Sequence, residues 1–359
     1  MNTPHWQHTP PGSHWGEFGP HDQLGRMNLV NAAQVLKGVA EVREGRTFCL
    51  SLPLDVPGGQ ALNPRRIPPR RYSVLRDGNS AGQQGFCWSY QSEDPELSDV
   101  VNDDVVLMSL QYSTQWDSLA HVGSHFDADG DGVPEAVFYN GHRAGEAIRA
   151  GTEDPGASEP WARYPEPVAG ALDIAHLAAH GAQGRGVMID LEHHIGRQRQ
   201  AVGYEVLMRI LDADRVSIEP GDMVCVHTGF ADSLLAMNRQ PDVAHLHATG
   251  SGLDGHDQRL LHWITDTRLA CLVADNPAVE LVVPKLASVS QAGQPLRRPR
   301  LPLHEHCLFK NGIHLGELWY LTELARWLRQ HQRSRFLLTA PPLRLPGAVG
   351  SPATPIATV

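Results

Sequence analysis

The sequence lacks the features that place a protein in a membrane, in the secretory pathway or on a nucleic acid. No apolar run in its 359 residues approaches the roughly 20 that a membrane span requires. The first residues, MNTPHWQHTPPGSHWGEFG, contain no basic segment followed by an apolar one, as a signal peptide would. The formal net charge is −10, whereas nucleic acids and anionic membranes favour a basic surface. We therefore expect a cytoplasmic protein that acts on a small molecule and has neither a nucleic-acid nor a membrane partner.

Cysteine is scarce, and the few cysteines are scattered. The five show no paired spacing of the kind that binds metals, and Cys225 and Cys271 lie in apolar runs that predict buried positions. Cys307 follows His306 and leaves open a nucleophile or a ligand, although no neighbour in the sequence would activate its thiol. Charged residues make up 19% and hydrophobic residues 41%, which is typical of a globular domain.

Apolar runs of two kinds alternate along the carboxyl-terminal half and predict an α/β fold. Short β-branched runs predict strands at residues 46–53, 105–110, 186–191, 223–228, 269–275 and 335–340. Apolar residues at helical spacing predict helices at residues 142–151, 172–180, 204–211, 258–265 and 317–329. Residues 1–30, rich in Pro, His and Gly, predict an irregular arm that packs on the body or on another subunit. Residues 341–359 predict an irregular tail.

Polar side chains that suit a metal-assisted active site follow the predicted strand at residues 105–110. A carboxylate placed there between Trp116 and Leu119 is costly to bury unless a cation or a hydrogen-bond donor meets it. We therefore consider the carboxylates, imidazoles and amides of this segment as candidate site residues: Gln111, Gln115, Asp117, His121 and His125. The alternatives that remain open are a core histidine at His121 and glutamines that hold a hydrogen-bond network around Asp117.

A second cluster lies far down the chain. His304 and His306 alternate, so on an extended segment they would share one face while Glu305 points away. Glu317 is expected at the start of an amphipathic helix, where a carboxylate is also favoured by the helix dipole.

The two clusters together resemble the cyclase family of metal-dependent hydrolases, which includes bacterial kynurenine formamidase and isatin hydrolase. Its short members carry His-x-Gly-Thr-His-x-Asp-x-x-x-His, and residues 111–121, QYSTQWDSLAH, match this frame. Asp117 and His121 fall on the Asp and the last His of the motif, while Gln111 and Gln115 stand where the short members have metal-binding His. The sequence thus resembles a longer branch of the family. Further matches include WGEFGP at residues 15–20, PGD at 220–222 and LPGAVGSP at 345–352.

The resemblance implies one swivelling β/β/α domain over residues 1–359 and a divalent metal ion, Mn²⁺ or Zn²⁺. Amide oxygens in place of imidazoles weaken zinc binding and favour manganese or magnesium. The implied ligands are Asp117, His306, Glu317, Gln111 and Gln115. His121 is the expected acid–base group, and His304 and His125 are further candidates near the chemistry.

The predicted function is hydrolysis of a small amide, formamide or lactone at the metal. One alternative is a natural-product cyclase or dehydratase of the polyketide type, which could work without a metal. The other is a small-molecule binding protein that has lost its metal. We expect a homodimer or a homotetramer. Residues 127–132, DADGDG, match the opening of a calcium loop, but the twelfth position is Phe138 instead of Glu. A polar turn with Asx contacts is the interpretation that we favour there.

Overall fold

The structure is a computed structural model that describes residues 3–76, 84–152, 165–282 and 298–359. Its strands are β1 (Thr47–Cys49), β2 (Arg70–Ser73), β3 (Trp88–Ser89), β4 (Val100–Val101), β5 (Asp104–Leu107), β6 (Gln115–Asp117), β7 (Ser124–Phe126), β8 (Glu135–Val137), β9 (Ile148–Arg149), β10 (Val168–Ala169), β11 (Gln183–Asp190), β12 (Ala201–Val202), β13 (Met223–His227), β14 (Gly252–Leu253), β15 (Cys271–Ala274), β16 (His314–Glu317), β17 (Arg335–Thr339), β18 (Gly350–Pro352) and β19 (Ile356–Thr358).

The α-helices of the described residues are α1 (Ala32–Val39), α2 (Ile174–His180), α3 (Leu191–Ile195), α4 (Tyr204–Ala213), α5 (Phe230–Ala236), α6 (Val243–His247), α7 (Gln258–Asp266), α8 (Pro302–His304) and α9 (Thr322–Gln330). A π-helical turn, Glu305–Lys310, continues α8. None of these helices is long and apolar enough to cross a membrane.

Within the described residues, nine strands form one mixed sheet in the order β1-β19-β17-β11-β13-β15-β16-β6-β18. Strands β11, β13, β15 and β16 run parallel, and β17 on one side and β6 on the other pair with them antiparallel. Most residues of the parallel strands are buried, as expected where helices cover a sheet on both faces. The α/β prediction is confirmed.

The sheet curls, because its last two strands join its opposite ends. β18 is the ninth strand in the order and β19 the second, yet only residues 353–355 connect them. In a flat sheet, strands spaced about 4.8 Å apart would place these positions about 34 Å from each other. The connection reaches at most about 14 Å when fully extended. The two edges must therefore curve towards each other, and Ala353 N donates to the Thr114 carbonyl beside β6.

Helix α7 illustrates why the flanking helices form where the sequence predicts them. The Asp257 side chain caps its first turn by accepting from the N–H groups of Arg259 and Leu260. Leu260 and Ile264 lie on one stripe and are fully buried against the sheet. Each such side chain contributes about 1.5–3 kcal/mol on burial.

The amino-terminal arm packs beside the segment that follows α8. His14 N donates to Lys310 O, and Trp15 Nε1 donates to Phe309 O at 2.7 Å. Gly25 has φ +57°, and a Cβ there would lie 2.0 Å from Gly312 O. Only glycine fits this approach, so the arm is held against the π-helical turn.

Several expectations about individual elements were wrong. The run at residues 105–110 forms β5 in a two-stranded ribbon with β2, where Val105 and Val106 are about half exposed instead of buried. Residues 142–151 form no helix but contain β9. The tail at residues 341–359 is not irregular throughout, because it supplies β18 and β19 to the main sheet. Glu317 ends β16 and does not begin a helix; α9 starts at Thr322.

Candidate functional site

Strand β6 separates polar from apolar side chains by alternation. Gln115 and Asp117 point to one face, and Trp116 points to the other, where its ring lies 5.1 Å from that of Trp319 at 83°. Antiparallel pairing places Glu317 directly opposite Gln115. Directly paired residues share a face, so Glu317 lies beside Gln115 and Asp117.

His304 completes this cluster from the single turn of α8. Its Nε2 lies 3.2 Å from Glu317 Oε1 and 3.9 Å from Asp117 Oδ2. Its Nδ1 lies 2.7 Å from Glu280 Oε1, and Glu280 also accepts from the backbone N–H groups of Leu303 and His304. Glu280 therefore fixes the direction of the imidazole and leaves Nε2 facing the other two carboxylates.

The pKa values of Asp117 and His304 are both raised, but for different reasons. Burial raises the pKa of Asp117 to about 6, and the neighbouring Glu317 adds to this, while His121 and His304 oppose it. Burial alone would lower the pKa of His304. The hydrogen bonds with Glu280 and Glu317 outweigh burial and raise the pKa of His304 to about 10. The surrounding carboxylates therefore favour a positive charge at this point, either on the His304 imidazole or on a bound ion.

The cluster fits a divalent metal ion. One ligand atom each from Asp117, His304 and Glu317 lie within 4.8 Å of one another, and all three residues are buried. Asp117 Oδ2 is buried without a hydrogen-bond partner among the described residues. Two carboxylates and an imidazole oriented by a third carboxylate form a donor set that divalent transition ions accept.

Gln115 holds the cluster together as a hydrogen-bond donor. Its Nε2 lies 2.8 Å from Glu317 Oε2 and 3.4 Å from Asp117 Oδ1. Its Oε1 is turned away towards Arg66 Nη1 at 3.5 Å. In this arrangement the Gln115 amide donates to the two carboxylates, as the hydrogen-bond alternative expects, and its role as a ligand stays a prediction.

Gln111 borders the same face. A Cβ added at Gly350 would lie 2.4 Å from Gln111 Nε2, so the amide fills the space above Gly350. Gly350 is paired directly with Asp117, and the space above it is therefore on the Asp117 side of the sheet. The structure places Gln111 beside the cluster, and its role as a ligand stays a prediction.

His306 is not brought to the cluster. Its Nε2 lies 2.9 Å from Thr265 Oγ1, beside helix α7, and burial lowers its pKa to about 4. The expected extended segment is a helical turn, on which residues two apart point in nearly opposite directions. His304, and not His306, is consequently the imidazole that faces Asp117 and Glu317.

The other two predicted histidines differ in position. His121 Nε2 lies 3.8 Å from Asp117 Oδ1, and its side chain is 25% exposed, so it links the buried cluster to solvent. A turn closed by the hydrogen bond from His121 N to Ser118 O brings it there. His125 is exposed on β7 and lies outside the cluster.

The two remaining sequence candidates lie in different environments, Cys307 in the core and the calcium-like loop at the surface, where ligand atoms of Asp127, Asp129 and Glu135 lie within 4.8 Å of one another. Cys307 is fully buried, and burial raises the pKa of its thiol, so it is neither a thiolate nucleophile nor a ready ligand. In the calcium-like loop, Asp127 accepts from the N–H groups of Gly130 and Gly132, as expected for a polar turn. Arg143 already supplies the positive charge there, 3.3 Å from Asp129.

Glu280 and Arg66 also contact the cluster, and the sequence analysis identified neither as a candidate site residue. Glu280 follows the buried strand β15 by a short loop, and a carboxylate soon after a buried strand is the signal that identified Asp117. Arg66 lies in an irregular basic loop, where nothing in the sequence distinguishes it from its neighbours.

Comparisons with known proteins identify the family and the fold of this chain. The model of the family described as putative cyclase matches residues 50–281. A crystal structure described as a novel cyclase is 28% identical, with each chain covered completely and a TM-score of 0.71. Isatin hydrolase A from Labrenzia aggregata, bound to benzyl benzoate, is 14% identical over 90% of this chain and 97% of its own, with a TM-score of 0.52. Isatin hydrolase A from Ralstonia solanacearum is 14% identical over 91% and 94%, with a TM-score of 0.51. No curated protein matches the sequence.

Proposed function

The chain belongs to the cyclase family, and we propose that it is a metal-dependent hydrolase of a small amide, formamide or lactone. The observation that supports this most directly is the buried cluster of Asp117, His304 and Glu317, with one unpartnered oxygen on Asp117. Buried carboxylates without cations are costly, which gives the cluster a physical reason to take up an ion.

Asp117, His304 and Glu317 would hold the ion, manganese or zinc. Two hard carboxylates among three ligands favour manganese. When bound there, the ion would act as a Lewis acid on the carbonyl group of a substrate.

The protein's own residues orient the cluster and move protons. Glu280 keeps His304 Nε2 directed at the carboxylates, and Gln115 holds Asp117 and Glu317 at a fixed separation by donating to both. His121, partly exposed and next to Asp117, would take a proton from the attacking water and return it to the leaving nitrogen or oxygen.

A cyclase or dehydratase of natural products is the second candidate. The 28% identical structure is described as a cyclase, and the Asp117–His121 pair could transfer protons without a metal. Product mass separates the candidates, since hydrolysis adds one water to the substrate whereas dehydration removes one.

The test is hydrolysis of formanilide, isatin and δ-valerolactone by protein that has been stripped with a chelator and then supplied with Mn²⁺ or Zn²⁺. We expect metal-dependent turnover of at least one substrate. Asp117→Asn should lose both bound metal and turnover, because it removes an anionic ligand. His121→Gln should keep its metal and lose roughly 10²–10⁴ in kcat, the usual contribution of an acid–base group.

His125→Gln is the matched control, since this exposed histidine lies outside the cluster. Turnover that is unchanged in Asp117→Asn, or a purified protein that neither contains metal nor responds to it, would contradict the proposal.

A further inference from the structure

The loop before β2 is fixed against the segment between β5 and β6 that leads to the cluster. Tyr112 Oη donates to Gly59 O at 2.7 Å. Ile67 and Ser109 are joined twice, by Ile67 N to Ser109 Oγ at 2.8 Å and by Ser109 N to Ile67 O at 3.0 Å. The residue before Ile67 is therefore held in place beside β6.

That residue is Arg66, and its side chain lies over the polar face of β6. Its Nη1 lies 3.5 Å from Gln115 Oε1, so the guanidinium is close to the amide that also bonds to Asp117 and Glu317. The neighbouring Arg65 is exposed, whereas Arg66 is half buried.

Arg66 forms no ion pair, although carboxylates are close. Of its five N–H donors, one makes a long hydrogen bond to an amide, and no carboxylate of the described residues lies within 4.0 Å of it. Half-buried arginines in an acidic protein usually find an acidic partner, because pairing offsets the loss of hydration. A planar anion from outside the protein would satisfy the guanidinium with paired hydrogen bonds.

We propose that Arg66 binds a carboxylate group of the substrate and makes the protein selective for anionic amides or lactones. The inference rests on the proposed function, since it assigns a substrate class to the same site. The negative charges of Asp117, Glu317 and Glu280 repel an anion, and the Arg66 guanidinium, 3.5 Å from Gln115 Oε1, supplies a positive charge that can offset them. Removing Arg66 should therefore lower kcat/KM far more for anionic substrates than for neutral ones.

The experiment compares formanilide with 2-, 3- and 4-formamidobenzoate, which differ from it only by a ring carboxylate. Wild-type protein loaded with Mn²⁺ should hydrolyse at least one benzoate with a higher kcat/KM than formanilide. In Arg66→Gln this preference should fall roughly 10- to 100-fold, the range for a hydrogen bond to a charged group. Arg65→Gln, the exposed neighbour, should keep it.

Equal hydrolysis of neutral and anionic substrates by the wild type would overturn the inference while leaving the hydrolase intact. An equal loss of kcat/KM on neutral and anionic substrates in Arg66→Gln would also overturn the inference, because Arg66 would then act on the reacting carbonyl group that both substrates share. Absence of any hydrolysis would count against the proposed function.

A binding measurement tests Arg66 independently of turnover. Calorimetric titration with 2-aminobenzoate, and with the neutral 2-aminobenzamide as comparison, should show a Kd for the anion that is roughly 10-fold or more weaker in Arg66→Gln. The amide should bind both proteins alike. Failure of the wild type to bind the anion, or equal anion binding by Arg66→Gln, overturns the inference.

Discussion

At the scale of single residues, Glu280 decides which way the metal-facing histidine points. It accepts from His304 Nδ1 and from two backbone N–H groups of the same turn, so it fixes both the ring and the turn that presents it. Carboxylates in this position raise the basicity of the ligand that they orient.

Glu280→Gln should consequently weaken metal binding about 10- to 100-fold without unfolding the protein. Competition against a chelator measures the affinity. Glu305→Gln is a suitable control, because Glu305 is adjacent in sequence but bonds to Ser124 Oγ at 2.7 Å. Equal affinities for Glu280→Gln and wild type would show that His304 is not the ligand.

The sequence predicts the residues of the motif better than those of the second cluster. Asp117 and Glu317 come together as expected, because both end short buried strands that pair in the sheet. Whether His304 or His306 faces Asp117 depends on whether residues 302–306 are extended or helical. The sequence His-Glu-His is compatible with either conformation. Glu280 lies 24 residues before its partner, so no local pattern connects them.

At the scale of elements, the carboxyl ends of three parallel strands meet in a buried ionic network. Asp190 ends β11, His227 ends β13 and Asp275 follows β15. His227 lies 2.8 Å from Asp190 and 3.1 Å from Thr322 at the start of α9. Asp275 is 4.0 Å and Glu192 3.9 Å from the same ring, so the network joins strand ends to a helix.

This network should make stability depend on pH. Burial alone would lower the pKa of His227, but the hydrogen bond and charge of Asp190, with Asp275 and Glu192, outweigh it and raise the pKa above 6.5. A histidine with a raised pKa stabilises the fold fully below its unfolded pKa. That stabilisation is lost as pH rises through the folded pKa.

His227→Gln should therefore lose about 3–5 kcal/mol of unfolding free energy at pH 6, the usual effect of breaking a buried ion pair, and less at pH 9. Urea unfolding at both pH values measures it. His194→Gln, which breaks the more exposed pair with Asp214, should cost about 0–1 kcal/mol. A loss that does not shrink at pH 9 would show that His227 is not charged.

Helices with strong periodicity and the apolar runs that form β11, β13, β15 and β17 are predictable from the sequence, but the burial of a short apolar run is not. The helices at residues 204–211 and 258–265 appear as α4 and α7, because their apolar stripes agree with the fold and Asp257 caps α7. The run at residues 105–110 looks like a core strand, yet it pairs only with β2 and faces solvent. Whether a short apolar run is buried depends on which distant segments of the chain pack against it.

At the scale of the whole molecule, the candidate metal centre joins segments from across the sequence. Asp117, His304 and Glu317 come from β6, α8 and β16, and these meet only in the folded protein. An ion bound to all three adds its binding energy to the stability of the fold.

The expected homodimer or homotetramer stays a prediction that light scattering can test.

Mn²⁺ at about 100 times its Kd should stabilise the protein by about 2.7 kcal/mol, which raises Tm by a few degrees. Thermal unfolding with and without the ion measures the shift. Asp117→Asn should show no shift, while Asp127→Asn, in the calcium-like loop, should keep it. A shift that is lost only in Asp127→Asn would place the ion in that loop.

The two final strands also constrain how the protein is synthesised. Strand β6 lies between β16 and β18, so its neighbours are residues 314–317 and 350–352. A ribosome must have made the chain past Pro352 before Asp117 has both strands beside it. A nascent or truncated chain leaves this strand with an unpaired edge, which invites aggregation.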